Sequence, residues 1–114
     1  MAVILQVALD FVDLHRAIKV AEEAIEGGVD WLEIGTPLIK SEGMHAIRHF
    51  RKSFPGKTLI ADMKTMDAGR AEMEMAAKAG ANIAVVMANA PDSTIKECIE
   101  AGKNYGLKIC VDCI

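Results

Sequence analysis

Asp62, Lys64 and Asp67 stand in one stretch, Thr58-Leu59-Ile60-Ala61-Asp62-Met63-Lys64-Thr65-Met66-Asp67-Ala68-Gly69, which begins apolar and turns abruptly charged. Residues two apart on a strand point the same way, so Asp62 and Lys64 share a face. An ammonium held between carboxylates stays protonated and can stabilise a developing oxyanion. A carboxylate at a strand end is also a hard oxygen ligand for magnesium. Taken alone, D-x-K-x-x-D is more often a solvated, ion-paired loop, with Asp67 capping the helix that follows. The rest of the chain shifts that balance.

The elements that must position these charges follow from apolar spacing and from the glycines and prolines between the runs. Val3–Leu9 reads as a buried parallel strand ending at Asp10. Asp13 caps a helix whose apolar positions are Leu14, Ala17, Ile18, Ala21 and Ile25, and Gly27-Gly28 stops it. Trp31–Ile34 is a second strand with Glu33 inside it, and a carboxylate there needs a partner or a metal. Gly35-Thr36-Pro37 reads as a turn and Ser41 as the cap of a second helix carried by Met44, Ile47 and Phe54. Thr58–Asp62 is the third strand, Ala68–Ala79 the third helix with Gly80 as its stop, and Ile83–Met87 the fourth strand. Asp92 or Ser93 caps a fourth helix with Ile95, Cys98, Ile99 and Gly102 inward, and Leu107–Val111 begins a fifth strand.

Strict β-α alternation specifies a parallel sheet covered by helices, with right-handed crossovers. Sites in such folds gather at the carboxyl ends of the strands. Asp10, Glu33 and Asp62 fall at that end of three successive strands, an arrangement far less expected by chance than any one of them.

Composition narrows the function. The chain has 114 residues, 52% hydrophobic and 25% charged, an ordinary globular balance for one domain. Aromatics are only 4%, so aliphatic side chains, Ala and the seven Met must fill the core. A net charge of −3 without a basic stripe argues against nucleic acid. No apolar run reaches membrane-spanning length, and Met1-Ala2-Val3-Ile4-Leu5 lacks the basic lead of a signal peptide and reads as a first strand, so a cytoplasmic protein is expected. Cys98, Cys110 and Cys113 are then expected to be reduced thiols. Cys110-Val111-Asp112-Cys113 lies on a strand pattern, where residues three apart face opposite ways, unlike a helix-opening redox motif.

The chain resembles the orotidine 5′-monophosphate decarboxylase superfamily and, within it, the 3-hexulose-6-phosphate synthases. Ala8-Leu9-Asp10, Leu32-Glu33-Ile34-Gly35-Thr36-Pro37-Leu38, Ala61 to Gly69, Ala79-Gly80-Ala81-Asn82 and Asp92-Ser93-Thr94-Ile95 carry the resemblance across the whole length. Glu33 looks like the metal-ligand glutamate of the synthases and of the 3-keto-L-gulonate-6-phosphate decarboxylases. Asp67-Ala68-Gly69 also looks like the synthase branch. The fourth strand departs from the family's valine-rich stretch ending in Leu-Gly.

The resemblance implies a (β/α) barrel, here a half barrel of four βα units plus a fifth parallel strand. Residues 1–114 would be a single partial (β/α)8-barrel domain, stopping before the strands whose loops hold phosphate. The activity implied is that of an aldehyde-lyase joining formaldehyde to D-ribulose 5-phosphate through a magnesium-stabilised enediolate. Glu33 and Asp62 would bind Mg2+ or its ligands, Lys64 would stabilise the enediolate, and Asp10 would position substrate and Lys64. Asp67 would reach into a partner subunit's site, since family members are dimers. An open half barrel also exposes two strand edges, so a homodimer or higher homo-oligomer is expected. Two alternatives stay open: a 3-keto-L-gulonate-6-phosphate decarboxylase, which shares these motifs, and a catalytically inactive half barrel serving as an assembly module.

Overall fold

Five parallel strands lie side by side in chain order, β1 (Gln6–Leu9), β2 (Trp31–Ile34), β3 (Thr58–Thr65), β4 (Ile83–Met87) and β5 (Lys108–Asp112). The computed structural model describes all residues from Met1 to Ile114. β1 and β5 do not pair with each other, so the sheet is unclosed and the architecture is the expected half barrel. Between the strands run α1 (Leu14–Glu26), α2 (Thr36–Glu42), α3 (Met44–Ser53), α4 (Gly69–Ala79) and α5 (Asp92–Tyr105).

The pleat divides each strand's side chains between two environments. Leu9, Leu32, Ile34, Leu59, Ala61, Ala84 and Val86 belong to one continuous core shared with Ala17, Ala21, Leu38, Ile47, Phe50, Met73 and Cys98 of the helices. Each fully buried Leu, Ile or Phe contributes about 1.5–3 kcal/mol. A second, small cluster of Ile60, Ile83 and Val85 with half-buried Trp31 lies apart from that core. Register sets the rows across the sheet: Ala8 pairs with Glu33, Glu33 with Ile60, and Ile60 with Ile83.

Several elements follow the sequence directly. Asp13 caps α1, its Oδ1 accepting from the Arg16 N–H at 2.7 Å. Gly80 ends α4 with φ 112°, a left-handed conformation suited to glycine. Arg51 locks the amino-terminal end of the sheet. Its guanidinium donates to the carbonyls of Phe54, Pro55, Lys57 and Gly80 and to Asn82 Oδ1, which also accepts from the Leu59 N–H.

Other elements differ. β1 starts at Gln6 rather than Val3; before it, Leu5 is tied to Asp30 through its N–H and carbonyl. Gly35-Thr36-Pro37 is not a turn but the opening of α2, because proline fits the first helical turn. The second crossover therefore holds two helices, separated by Gly43 at φ 66°. Ser41 caps neither; it lies in α2 and donates to the Val12 carbonyl at 2.8 Å. α4 starts at Gly69 without a side-chain cap, so Asp67 has no capping role, and α5 likewise starts without one from Asp92 or Ser93. Ile99 is 42% exposed, while Thr94, Cys98, Ala101 and Gly102 form the buried face of α5. β5 runs one residue later than expected, which brings Asp112 into it.

Candidate active site

Asp62 is the buried centre of the carboxyl end of the sheet, 7% exposed. Its Oδ2 lies 3.2 Å from Lys64 Nζ and accepts from Thr36 Oγ1 at 2.9 Å. Thr36 Oγ1 also lies 2.8 Å from the Asp62 main-chain carbonyl oxygen, so its single hydroxyl hydrogen is shared between the carbonyl and the carboxylate of that residue. Asp62 Oδ1 is buried without any donor. A buried acceptor without a partner is costly, and this oxygen has the chemistry of a hard ligand for a cation.

Lys64 reaches its partners from a strained backbone. Its φ is 47°, in the left-handed region where a non-glycine residue costs about 1–2 kcal/mol. The β3–β4 pairing shifts register between Ala61 and Thr65 at the same place. Simple strand alternation thus puts Asp62 and Lys64 together, but an irregularity of the kind that re-aims side chains at sites supplies the final geometry. The ammonium bridges Asp62 and Asp112 Oδ2, the latter at 2.7 Å. The Asp112 hydrogen bond, reinforced by Asp62, holds the Lys64 pKa above its ordinary value. Lys64 in turn holds the Asp112 carboxyl below its own.

Glu33 sits in β2, next to Ile60 of β3 and Ala8 of β1. Gln6 Nε2 donates to its Oε2 at 3.1 Å. Burial pushes the Glu33 carboxyl above its ordinary range; Asp62 and Asp10 add to that push, against the Gln6 hydrogen bond and Lys64. Asp10 follows β1 and is exposed, lying against Gly35. A Cβ at Gly35 would fall 2.1 Å from Asp10 Oδ1 and 2.8 Å from the Leu9 carbonyl oxygen, so only glycine lets the Asp10 carboxylate lie there.

The structure thus gathers Asp10, Glu33, Asp62 and Lys64 at one end of the sheet and adds Asp112, which the sequence reading passed over inside the C-x-x-C. Asp67 stands apart. Its carboxylate is exposed and makes no hydrogen bond or ion pair; its loop is held through its carbonyl, which accepts from Gly69 N and from Thr94 Oγ1 at 3.3 Å. The Thr65 hydroxyl donates to Glu72, tying the end of β3 to the first turn of α4. A pocket of about 250 Å³ opens beside Asp112, lined by Met87, Ala88, Asn89, Asp112, Cys113 and Ile114. All three cysteines are free.

No group of three or more His, Cys, Asp or Glu side chains is arranged to chelate a metal. Magnesium is commonly held by one or two carboxylates and completed by water and substrate oxygens. Glu33, with its charge held at a cost by burial, and Asp62, with a free buried oxygen, fit such an ion.

Residues 4–114 match the orotidine 5'-phosphate decarboxylase / HUMPS family, and the chain belongs to it. It is 43% identical over 110 residues to a 3-hexulose-6-phosphate synthase of Mycobacterium gastri, covering 96% of this chain and 53% of that protein. A crystal structure of 3-hexulose-6-phosphate synthase superposes with a TM-score of 0.94 at 42% identity, over 97% of this chain and 53% of the other. A 3-keto-L-gulonate-6-phosphate decarboxylase from Vibrio cholerae superposes at 0.91 and 36% identity, over 95% and 50%. The chain spans about half the length of the curated relatives it matches. No helix is long and apolar enough to cross a membrane.

Proposed function

We propose that this chain carries the charged half of an aldolase-type lyase site of the 3-hexulose-6-phosphate synthase kind, joining formaldehyde to D-ribulose 5-phosphate. The observation that carries this reading is the Lys64 ammonium clamped between Asp62 and Asp112 at the carboxyl end of the sheet. Removing a proton beside a ketone puts negative charge on the ketone oxygen. An ammonium kept protonated by two carboxylates, and already oriented, answers that charge without reorganisation. Glu33 and Asp62 would hold Mg2+, which supplies Lewis-acid charge to the substrate oxygens. Asp10, seated on Gly35 beside this cluster, would orient the substrate's hydroxyls, while the ion pairs of Lys64 are with Asp62 and Asp112. Asp67, exposed and unpaired, is free to serve a neighbouring subunit's site.

The substrate phosphate is held by segments other than these five strands, since barrels of this type place it after strands seven and eight. The unpaired edges of β1 and β5, with exposed Ile4 and Leu5 beside one and Val111 in the other, favour a homo-oligomer. Light scattering at the monomer mass would refute that assembly.

A second reading, decarboxylation of 3-keto-L-gulonate 6-phosphate, is favoured by the likeness to the Vibrio cholerae enzyme. A third reading, an inactive assembly module, is favoured by the unpaired edges of β1 and β5. Offering the protein each substrate with Mg2+ separates the three. Formaldehyde-dependent loss of ribulose 5-phosphate supports the synthase, carbon dioxide release from the keto acid supports the decarboxylase, and neither supports the module.

A further inference from the structure

We propose that Thr36 is a positioning residue of this site: its hydroxyl clamps the Asp62 carboxylate in the one orientation that leaves Oδ1 without a protein donor. The inference rests on the divalent-cation reading of Glu33 and Asp62 and extends it to a residue outside the charged motif.

Thr36 is the first residue of α2, followed by Pro37, so its backbone is fixed at a helix start. Its Oγ1 is 2.8 Å from the Asp62 carbonyl oxygen and 2.9 Å from Asp62 Oδ2. The single hydroxyl hydrogen is shared between the main-chain carbonyl and Oδ2 of the same residue, so the carboxylate is oriented toward a donor that is itself anchored on the Asp62 backbone. Lys64 approaches the same oxygen, Oδ2, at 3.2 Å. Both donors of the protein therefore converge on one carboxylate oxygen, and the other, itself buried, receives none. A carboxylate free to turn would share its donors between its oxygens. Thr36 prevents the turn and reserves Oδ1 for a cation. Hydrogen-bond partners that orient a ligating carboxylate are worth roughly 10–100-fold in metal affinity.

Thr36 could instead merely fasten the β2–α2 connection to β3. That role would lower thermal stability but leave cation affinity of the folded chain unchanged. The test is Mn2+ binding to the full 114-residue chain by electron paramagnetic resonance, with folding followed by circular dichroism. Wild type, Thr36→Val, which keeps the shape and removes the hydroxyl, and Thr36→Ser, which keeps the hydroxyl, are compared. The expected result is binding weakened about tenfold in Thr36→Val and kept within about twofold of wild type in Thr36→Ser. Equal binding by wild type and folded Thr36→Val overturns the role of Thr36 and leaves the cation reading standing. No Mn2+ binding by wild type overturns the cation reading and this inference with it. If Thr36→Val does not fold, Thr36→Ala, which also removes the hydroxyl, takes its place: weakened binding by the folded variant supports the assignment, and binding equal to wild type overturns it.

Discussion

Lys64 Nζ sits 2.7 Å from Asp112 Oδ2, joining the carboxyl ends of two strands, β3 and β5, that are separated by β4. The ion pair spans 48 residues of sequence and crosses over the intervening strand. It fixes an ammonium above the sheet end that also carries Asp62, and it explains how a lysine in a strained backbone conformation keeps one geometry.

The pair has a defined pH signature. The share of stability from Lys64, whose pKa is raised, is complete below the ordinary 10.5 and is lost as pH climbs through the raised value. The share from Asp112, whose pKa is lowered, is complete above the ordinary 3.8 and is lost as pH falls through the lowered value. Asp112→Asn therefore lowers the urea midpoint by an amount that is flat from roughly pH 5 to 9 and shrinks outside it. The same difference narrows at high salt, because both groups are partly exposed. A midpoint unchanged by Asp112→Asn across that window would show the pair to be without effect on stability.

Glu33 carries the opposite sign. Its folded pKa is raised by burial, so the ionised carboxylate opposes folding once pH rises above the ordinary 4.5. Glu33→Gln is expected to melt higher than wild type at pH 7 without divalent cations and to lose that advantage below about pH 4. With Mg2+ the order reverses, because only wild type gains binding energy. Melting curves at two pH values, with and without Mg2+, check both halves of the expectation.

Arg51 tests the division of labour between the two ends of the sheet. It holds four carbonyls and Asn82 at the end opposite the charged cluster. Arg51→Met takes the guanidinium from the Pro55, Lys57 and Gly80 carbonyls, while Asn82 Oδ1 keeps the Leu59 N–H and the Phe54 carbonyl keeps the Lys57 N–H, and is expected to cost about 3 kcal/mol in urea unfolding. Mn2+ affinity of the remaining folded protein is expected to stay at the wild-type value. A loss of cation affinity without a loss of stability would contradict that separation.

What could be read from the sequence was what local chemistry fixes. Asp13 caps its own helix, Gly80 ends another, and Ile83–Met87 is apolar and bounded by turn residues, so each was recognisable within a few residues. Strand periodicity puts Asp62 and Lys64 on one face, but the positive φ of Lys64 and the register shift that complete their geometry leave no local sequence signal. Thr36 was hidden because Gly-Thr-Pro also describes a turn, and its partner lies 26 residues away across a crossover. Asp112 was hidden because two cysteines drew the motif to themselves, and its partner belongs to a strand two positions away in the sheet. Helical spacing points Ile99 inward, yet α5 turns Thr94, Cys98 and Gly102 to the core. Close packing there favours small side chains: a Cβ on Gly102 would lie 2.6 Å from the Leu107 carbonyl oxygen.

In the proposed function Lys64, held by Asp62 and Asp112, stabilises charge developed beside a ketone. The most direct measurement is deuterium exchange into ribulose 5-phosphate in heavy water with Mg2+ and no formaldehyde, followed by proton NMR for wild type and Lys64→Ala. The expected result is exchange at the carbon next to the ketone with wild type and at least about a hundredfold less with the folded variant. Exchange at equal rates in the two proteins, or none with a folded wild-type chain that binds the sugar phosphate, would contradict it.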